Sequence, residues 1–224
     1  MAEGSERKPE EIRQEVYSQL VWDTRVNASD IDVEVKDGKV ILKGLVPSYL
    51  DVWEAEDDAY AIEGVRYVEN RLKVSPPPHF PVPGDPEIAS KVRSLLEWNP
   101  NIDARGIDIS VDRGLVTLMG TVESIWQKHS AGRIAEDVAG VVGVNNEISV
   151  EPSVAVTDED IRTDIIGTLV RNSFIDAGMV NVHVKHCVVT LSGTVHDYYA
   201  YRTAEEISRS TQGVKDVNNN LVIA

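Results

Sequence analysis

The sequence predicts an α+β fold built from three tandem αββαβ modules, each a small three-stranded mixed sheet with two helices on one face. The first observation is an internal repeat: Ile12 recurs as Ile88 and Ile161, so the chain matches itself at offsets of 76 and then 73 residues. The second is the spacing of apolar residues, which changes within each copy from helical to alternating. The predicted modules span residues 7–75, 86–152 and 157–224, and a proline-rich linker spans 76–85.

The first helix of each module is predicted from apolar residues four positions apart. Ile12, Val16 and Leu20 form this pattern in module 1, and the same offsets repeat it in modules 2 and 3. Residues i and i+4 lie on one face of an α-helix, so this face is expected to pack on the sheet. Asp85 and Pro86 are predicted to cap and begin the first helix of module 2.

A β-hairpin is predicted after this helix. An I-x-V-x-V pattern begins at Ile31, and its alternation indicates a strand with one buried face. Asp37-Gly38 then predicts a two-residue type I′ turn, in which both central residues need a positive φ. Arg113-Gly114 keeps the glycine in module 2, whereas His186-Cys187 has none. The third turn is therefore expected to be wider or strained.

Glycine recurs at two positions of every module. One lies in the returning strand, V-x-L-x-G-x-V, where the missing Cβ is expected to let a helix cross the sheet closely. The other is expected to end the second helix, because glycine suits the left-handed position after a helix. The glycines are Gly44, Gly120 and Gly193 in the strand, and Gly64, Gly140 and Gly213 after the helix.

An asparagine interrupts the apolar pattern of the third strand in every copy, as Asn70, Asn146 and Asn219. A buried amide can bind neighbouring backbone groups, and each satisfied hydrogen bond contributes about 1 kcal/mol net. Because all three copies carry the amide, we interpret it as structural and not as a ligand-binding group. The helix before this strand makes a crossover connection, which places the third strand parallel to the second.

The order of these motifs resembles the BON domain of bacteria. Alanines in the second helix (Ala55 and Ala59 in module 1) and the G-V-x-x-V-x-N-x-L pattern are part of the resemblance, which covers nearly the whole chain. It implies a non-catalytic module of osmotic-shock-inducible and envelope proteins, proposed to bind phospholipids or other partners, and in one relative to sense potassium. No enzymatic activity and no cofactor are therefore expected.

The charge of the chain restricts its partners. With 37 acidic and 22 basic residues the net charge is −15, which repels nucleic-acid phosphates and anionic lipid headgroups over any broad surface. The G-x-x-G of Gly140–Gly143 is literally that of KH domains, but it joins a helix to a strand and not two helices. Nucleic acid is therefore not an expected partner, whereas cations and basic proteins are favoured.

The sequence also bears on location. It contains no run of about 18 apolar residues, so no transmembrane segment is predicted. Its first residues lack the apolar core of an export signal, which favours the cytoplasm, or the periplasm if a signal has been removed. One cysteine excludes an intramolecular disulfide framework.

The best candidate binding surface is a group of aromatic residues at the start of each second helix. Such side chains are favoured at protein interfaces and at the level of lipid headgroups. Packing between modules or under the first helix is an equally good explanation. The predicted function is protein or phospholipid binding in a stress or envelope context, with cation sensing or a structural scaffold as alternatives. The candidate residues are Tyr49, Trp53, Trp126, Tyr198, Tyr199 and Tyr201.

Two clusters have the residue types of ion sites. His183, His186 and Cys187 surround the third hairpin turn, but their spacing matches no standard zinc motif, so no metal is predicted there. An acidic run from Glu54 to Asp58 has carboxylates on one helix face, and a solvated face is the favoured interpretation.

Overall fold

The structure is a computed structural model that describes residues 7–76, 81–153 and 155–223. Over these residues it contains three separate three-stranded sheets, each with two helices, which confirms the predicted α+β fold of three tandem modules. Residues 77–80 of the predicted linker lie outside the described residues. Each module has two helices: α1 (Pro9–Trp22) and α2 (Tyr49–Tyr60), α3 (Asp85–Trp98) and α4 (Ile125–Glu136), and α5 (Asp158–Arg171) and α6 (Tyr198–Ser210).

The sheets have the predicted hairpin and crossover. In module 1, β1 pairs with β2 in antiparallel fashion and β2 pairs with β3 in parallel, with Leu42 opposite both Val33 and Asn70. Module 3 has the same topology. The strands are β1 (Ile31–Lys36), β2 (Lys39–Val46) and β3 (Tyr67–Val74), then β4 (Ile107–Asp112), β5 (Leu115–Val122) and β6 (Gly143–Val150), and finally β7 (Val180–Lys185), β8 (Val188–Val195) and β9 (Asp216–Ile223).

The core of each module lies between its sheet and its helices. In module 1, Val16 and Leu20 of α1 meet Val40 and Leu42 of β2, and all four side chains are fully buried. Ala55 of α2 is fully buried as well, because a small side chain brings the helix close to the sheet. The predicted helical and alternating faces are therefore the buried ones.

The asparagine of the third strand holds the second helix onto the sheet in all three modules. Asn70 Nδ2 donates to the Val52 carbonyl of α2 at 2.8 Å, and its Oδ1 accepts from the Leu72 amide at 3.1 Å. One side chain therefore connects a helix carbonyl to its own strand. In the same way Asn146 donates to the Lys128 carbonyl (2.7 Å) and accepts from the Ile148 amide (3.3 Å). Asn219 donates to the Tyr201 carbonyl (3.4 Å) and accepts from the Leu221 amide (3.2 Å).

The strand glycines are needed for a different reason from the one expected. A Cβ on Gly44, Gly120 or Gly193 would lie 1.8–2.0 Å from the carbonyl oxygen of the residue before the first strand of the module. Their φ values, +132°, +122° and +121°, also disfavour other residues. The predicted helix crossing is therefore wrong, because a 3₁₀ turn occupies this space.

The second helices end earlier than predicted. The helix α2 ends at Tyr60, α4 at Glu136 and α6 at Ser210, each several residues before its glycine. Each glycine then has a positive φ within the turn that leads to the third strand. The turn glycines are Gly64, Gly140 and Gly213.

The third hairpin turn has two residues and is not wider than the others. His186 and Cys187 have φ values of +53° and +62°, as a type I′ turn requires. The Asp158 carboxylate accepts hydrogen bonds from both of their amides, at 2.9 and 2.8 Å. These bonds lower the pKa of Asp158. A carboxylate thus stabilises a conformation that neither residue favours.

Module 2 has the same arrangement of a carboxylate bonded to two turn amides, which we call the turn clamp. Here the carboxylate belongs to Asp85, whose predicted role as the helix cap is therefore wrong. Its carboxylate accepts from the Arg113 and Gly114 amides at 2.8 and 2.9 Å. Gly84 is the N-cap of α3, and Asp85 is the first helical residue.

The chain divides into two compact units. The first comprises Met1–Pro83 with Ala139–Gly143, and the second comprises Gly84–Val138 with Val144–Ala224. Within the second unit α4 packs against α6, so the second helices of modules 2 and 3 are in contact.

Candidate binding surface

The six predicted aromatic residues do not form one class. Trp126 and Tyr199 are exposed, whereas the other four are half-buried. Two of these, Tyr49 and Trp53, pack with their ring centroids 6.2 Å apart. The remaining pair, Tyr198 and Tyr201, stacks at 6.1 Å.

Tyr201 belongs to the packing of module 3. Its hydroxyl donates to the Asn219 carbonyl of β9 at 3.5 Å, and its own carbonyl accepts from the Asn219 amide group. This tyrosine therefore faces its own sheet, which is neither an exposed binding surface nor the predicted packing between modules or under the first helix.

A large exposed residue recurs at the second position of every second helix. It is Leu50 in module 1, Trp126 in module 2 and Tyr199 in module 3. Each lies two residues after the N-cap, where the helix begins and its side chain does not reach the core. The apolar character of this position is shared, although only two of the three residues are aromatic.

Sequence reasoning missed the two most exposed tryptophans. Trp22 ends α1 and is 82% exposed, and Trp98 ends α3 at the same position and is 85% exposed. Each follows a fully buried leucine by two residues. Two residues turn a helix by about 200°, so the helical pattern already placed both tryptophans opposite the core.

The loop after the first helix is bonded to the start of the second helix, so these residues share one end of each module. In module 1 the Asn27 amide donates to Asp51 Oδ1 at 2.8 Å, and in module 2 Gln127 Nε2 donates to the Asn101 carbonyl at 2.8 Å. In module 3 the Phe174 and Tyr199 rings meet edge to face at 5.2 Å.

We call this exposed apolar surface the aromatic end of a module. The aromatic end lies where the last turn of the first helix, the following loop and the first turn of the second helix come together. It consists of Val21, Trp22 and Leu50 in module 1, Trp98 and Trp126 in module 2, and Val170, Phe174 and Tyr199 in module 3.

An arginine beside the aromatic end is paired with carboxylates in modules 1 and 2. Arg25 binds Asp23 at 2.5 Å and Glu54 at 2.6 Å. In module 2, Arg105 binds Asp103 at 2.8 Å. The hydrogen bonds from these arginines lower the pKa of both aspartates, which stay ionised at neutral pH. The positive charge of these two arginines is therefore offset by their neighbours.

The weak metal candidate is not assembled. His183 points outward from β7, His186 is exposed and Cys187 is half-buried in the turn. Across residues 7–76, 81–153 and 155–223, no group of three or more His, Cys, Asp or Glu residues is arranged to hold a metal ion.

A family model decides the classification, since the BON domain model matches residues 9–76, 84–152 and 157–224. The chain belongs to the BON domain family. One relative is the osmotically-inducible protein Y of Escherichia coli (strain K12), 34% identical over 143 residues, which are 61% of this chain and 71% of that protein. Its name does not denote an enzyme.

A second BON relative is the outer membrane lipoprotein DolP of Haemophilus influenzae, 30% identical over 125 residues. The match covers 55% of this chain and 62% of DolP, less than two thirds of that protein. Within the part of the chain that the structure describes, every helix is too short or too polar to cross a bilayer.

Solved structures add little. The CdsD structure of the type III secretion system of Chlamydia trachomatis aligns over 96% of this chain and 92% of its own, with 16% identity and a TM-score of 0.28. A score this low carries no structural argument.

Proposed function

We propose that the aromatic ends dock this protein onto the surface of a phospholipid bilayer. The observation that carries the proposal is the exposure of Trp22 and Trp98 at equivalent positions of two modules. Tryptophan combines an apolar ring with a polar N–H group, which suits the boundary between headgroups and acyl chains. An exposed ring does not stabilise its own module, so its recurrence favours a contact outside the module.

The energy of one ring indicates weak, reversible binding. An aromatic side chain buries about 150–250 Å², and at about 25 cal/mol per Å² this gives roughly 4–6 kcal/mol. The cost of association is of similar size. Stable docking therefore needs more than one ring, and losing either Trp22 or Trp98 is expected to weaken binding strongly.

Charge indicates which bilayer is preferred. The net charge of −15 opposes approach to an anionic surface, and Arg25 and Arg105 beside the aromatic ends are paired with carboxylates. A zwitterionic surface removes this repulsion. Binding to phosphatidylcholine or phosphatidylethanolamine vesicles should exceed binding to vesicles rich in anionic lipid, and added salt should reduce the difference.

The names of the relatives support a place in the cell envelope and a role in osmotic stress. One is osmotically inducible, and the other is an outer membrane lipoprotein. These names favour the envelope as the location of this protein.

Vesicle flotation tests the proposal. The full chain, Trp22→Ala, Trp98→Ala and the double variant are floated with zwitterionic vesicles, and the bound fraction is measured. We expect the wild type to float, each single variant to bind several-fold less, and the double variant to stay unbound. The matched control is Tyr67→Ala, which removes a half-exposed aromatic ring at the start of β3, where it lies beside Lys39 and away from the aromatic end.

Two outcomes contradict lipid docking. One is that the wild type does not bind any vesicle. The aromatic ends would then be candidates for binding a protein partner and not a lipid. The other is that Tyr67→Ala weakens binding as much as Trp98→Ala, which would place the contact elsewhere on the molecule.

A further inference from the structure

The seam between the two helices of a module is apolar in module 2 but polar in module 1. The seam positions are the residues just before a buried leucine of the first helix and just before a buried small residue of the second. In module 2 they are Leu95 and Ile134. In module 1 they are Gln19 and Asp58, so a carboxyl group takes the place of a branched apolar side chain.

Asp58 is buried without full pairing. Its residue is only 7% exposed. Oδ1 accepts from Gln19 Nε2 at 3.0 Å, but Oδ2 is buried and has no hydrogen-bond partner among the described residues. An unpaired buried carboxylate oxygen is costly, whereas a protonated carboxyl group removes the charge.

The other buried carboxylate of α2, Asp51, has hydrogen-bond partners for both of its oxygens. Asp51 is 6% exposed, and its two oxygens accept from the Asn27 amide at 2.8 Å and the Ser48 hydroxyl at 2.6 Å. Both oxygens are therefore bonded. The difference between Asp51 and Asp58 is one missing donor and not the extent of burial.

The charges around Asp58 also favour its neutral form. Asp23 and Glu54 approach it from the loop and from α2, and a nearby cation, Arg25, is already bound to both of them. Burial is the largest cause that raises the pKa of Asp58, and the two neighbouring carboxylates add to it. The Gln19 hydrogen bond and Arg25 oppose this rise without cancelling it.

We propose that Asp58 is a proton-binding site that stabilises the helix seam of module 1 at acidic pH. Ionisation places a third carboxylate against Arg25 and leaves Oδ2 as a buried charge. This loosens the contact of α2 with α1 and with the loop that follows Trp22. The site is particular to module 1, because Ile134 and Ile207 occupy the equivalent positions.

The sign of the pH dependence follows from the raised pKa. The folded state binds the proton more tightly than the unfolded chain, so the added stability is fully present below the ordinary aspartate pKa. It is lost as the pH rises through the higher folded-state value. Module 1 should therefore become less stable, relative to a variant without this carboxyl group, as the pH rises from the ordinary aspartate pKa through the raised pKa of Asp58.

Carbon-detected NMR of the full chain tests the proposal without any substitution. The side-chain carboxyl carbon of each aspartate is followed from pH 3 to pH 8. We expect the midpoint of Asp58 to lie above the ordinary aspartate pKa of about 3.9. A midpoint at or below that value would overturn the proposal.

Thermal unfolding provides a second readout. Asp58→Asn removes the ionisation and keeps the shape, and Asp32→Asn removes one exposed carboxylate as a control. Relative to wild type, Asp58→Asn should gain in Tm as the pH rises from 3 to 8, with the gain confined to the range between the ordinary aspartate pKa and the raised pKa of Asp58, whereas Asp32→Asn should not. An equal pH dependence of the two variants would contradict a proton site at Asp58. This proposal does not depend on lipid binding.

Discussion

Modules 1 and 3 share the residues that build the αββαβ fold, which we call the shared frame, and they differ at positions that the fold does not require. Both fold as αββαβ and both tie the second helix to the third strand through an asparagine. At the helix seam, module 1 holds the Gln19–Asp58 pair, whereas module 3 has a shallow groove of about 270 Å³ lined in part by Thr168 and Ile207. The comparison separates residues that specify the fold from residues that are free to acquire a function.

Their turns and ends differ in the same way. Module 1 turns through Asp37-Gly38, while module 3 turns through His186-Cys187 with the help of Asp158. Module 1 exposes Trp22 at its aromatic end, while module 3 places Phe174 against Tyr199. Equivalent substitutions in the shared frame should therefore change the stability of modules 1 and 3 equally. Substitutions at the variable positions should change it unequally.

The largest expected effect is equal in the two modules. Gly44→Ala and Gly193→Ala each place a Cβ about 2 Å from a backbone oxygen at a strongly positive φ. Each should lower the free energy of unfolding of its module by about 3 kcal/mol or more, measured by urea unfolding. The control is Gly167→Ala in α5, where a Cβ meets only the end of Arg171, and it should stabilise by about 0.8 kcal/mol. A clear difference in stability between Gly44→Ala and Gly193→Ala would contradict a shared structural role of this glycine in the two modules.

The amide ties should differ in strength. Asn70 bonds the α2 carbonyl at 2.8 Å, whereas Asn219 bonds the α6 carbonyl at 3.4 Å. We expect Asn70→Ala to cost about 2 kcal/mol and Asn219→Ala about 1 kcal/mol, because removal breaks the bond to the helix carbonyl and takes away the acceptor of the Leu72 or Leu221 amide. Asn218→Ala, on the exposed face of β9, should change stability by less than about 0.5 kcal/mol. If all three variants were equally stable, the amide would have no structural role.

The turns should respond with opposite signs. Cys187→Gly relieves a residue held at a φ of +62°, and should stabilise module 3 by about 1 kcal/mol. Gly38→Ala imposes the same conformation on a side chain in module 1, and should destabilise it by at least about 1 kcal/mol. Both are measured by urea unfolding under reducing conditions. Destabilisation by Cys187→Gly would mean that the cysteine side chain contributes more than the turn geometry costs.

The smallest effect on stability belongs to the aromatic ends. Phe174→Ala removes an edge-to-face ring contact and should cost about 0.5–1.5 kcal/mol. Trp22→Ala removes a ring that is 82% exposed, so its cost should stay below about 0.5 kcal/mol. A larger loss for Trp22→Ala would show that this ring packs on the module and is not free to bind a partner.

The fold could be predicted from the sequence because its buried apolar residues recur at regular spacings. Leu20 and Leu42 fall on helical and alternating faces, and three copies make each pattern unambiguous. The reason for Gly44 was not predictable, since the obstructing oxygen belongs to Asp30, which the alternation pattern does not place beside it. The Asp158 clamp was missed for the same reason: it joins residues 28 and 29 positions apart.

The candidate surface could be predicted only in part. Aromatic type identified Trp126 and Tyr199, but it also selected Tyr201, which bonds its own sheet. Trp22 could have been found from helical phase alone. Asp58 could not, because its acidic neighbours in sequence suggest a solvated face, and only the structure shows that one of its oxygens is buried without a partner.

Tryptophan fluorescence can show whether Trp22 and Trp98 contact a bilayer. Variants that retain a single tryptophan, at position 22, 98 or 53, are mixed with zwitterionic vesicles that carry brominated acyl chains. We expect a blue shift and quenching for Trp22 and Trp98, and no change for Trp53, which is half-buried beside Tyr49. Emission from Trp22 and Trp98 that stays at the wavelength of water-exposed tryptophan at every lipid concentration would contradict the proposed contact.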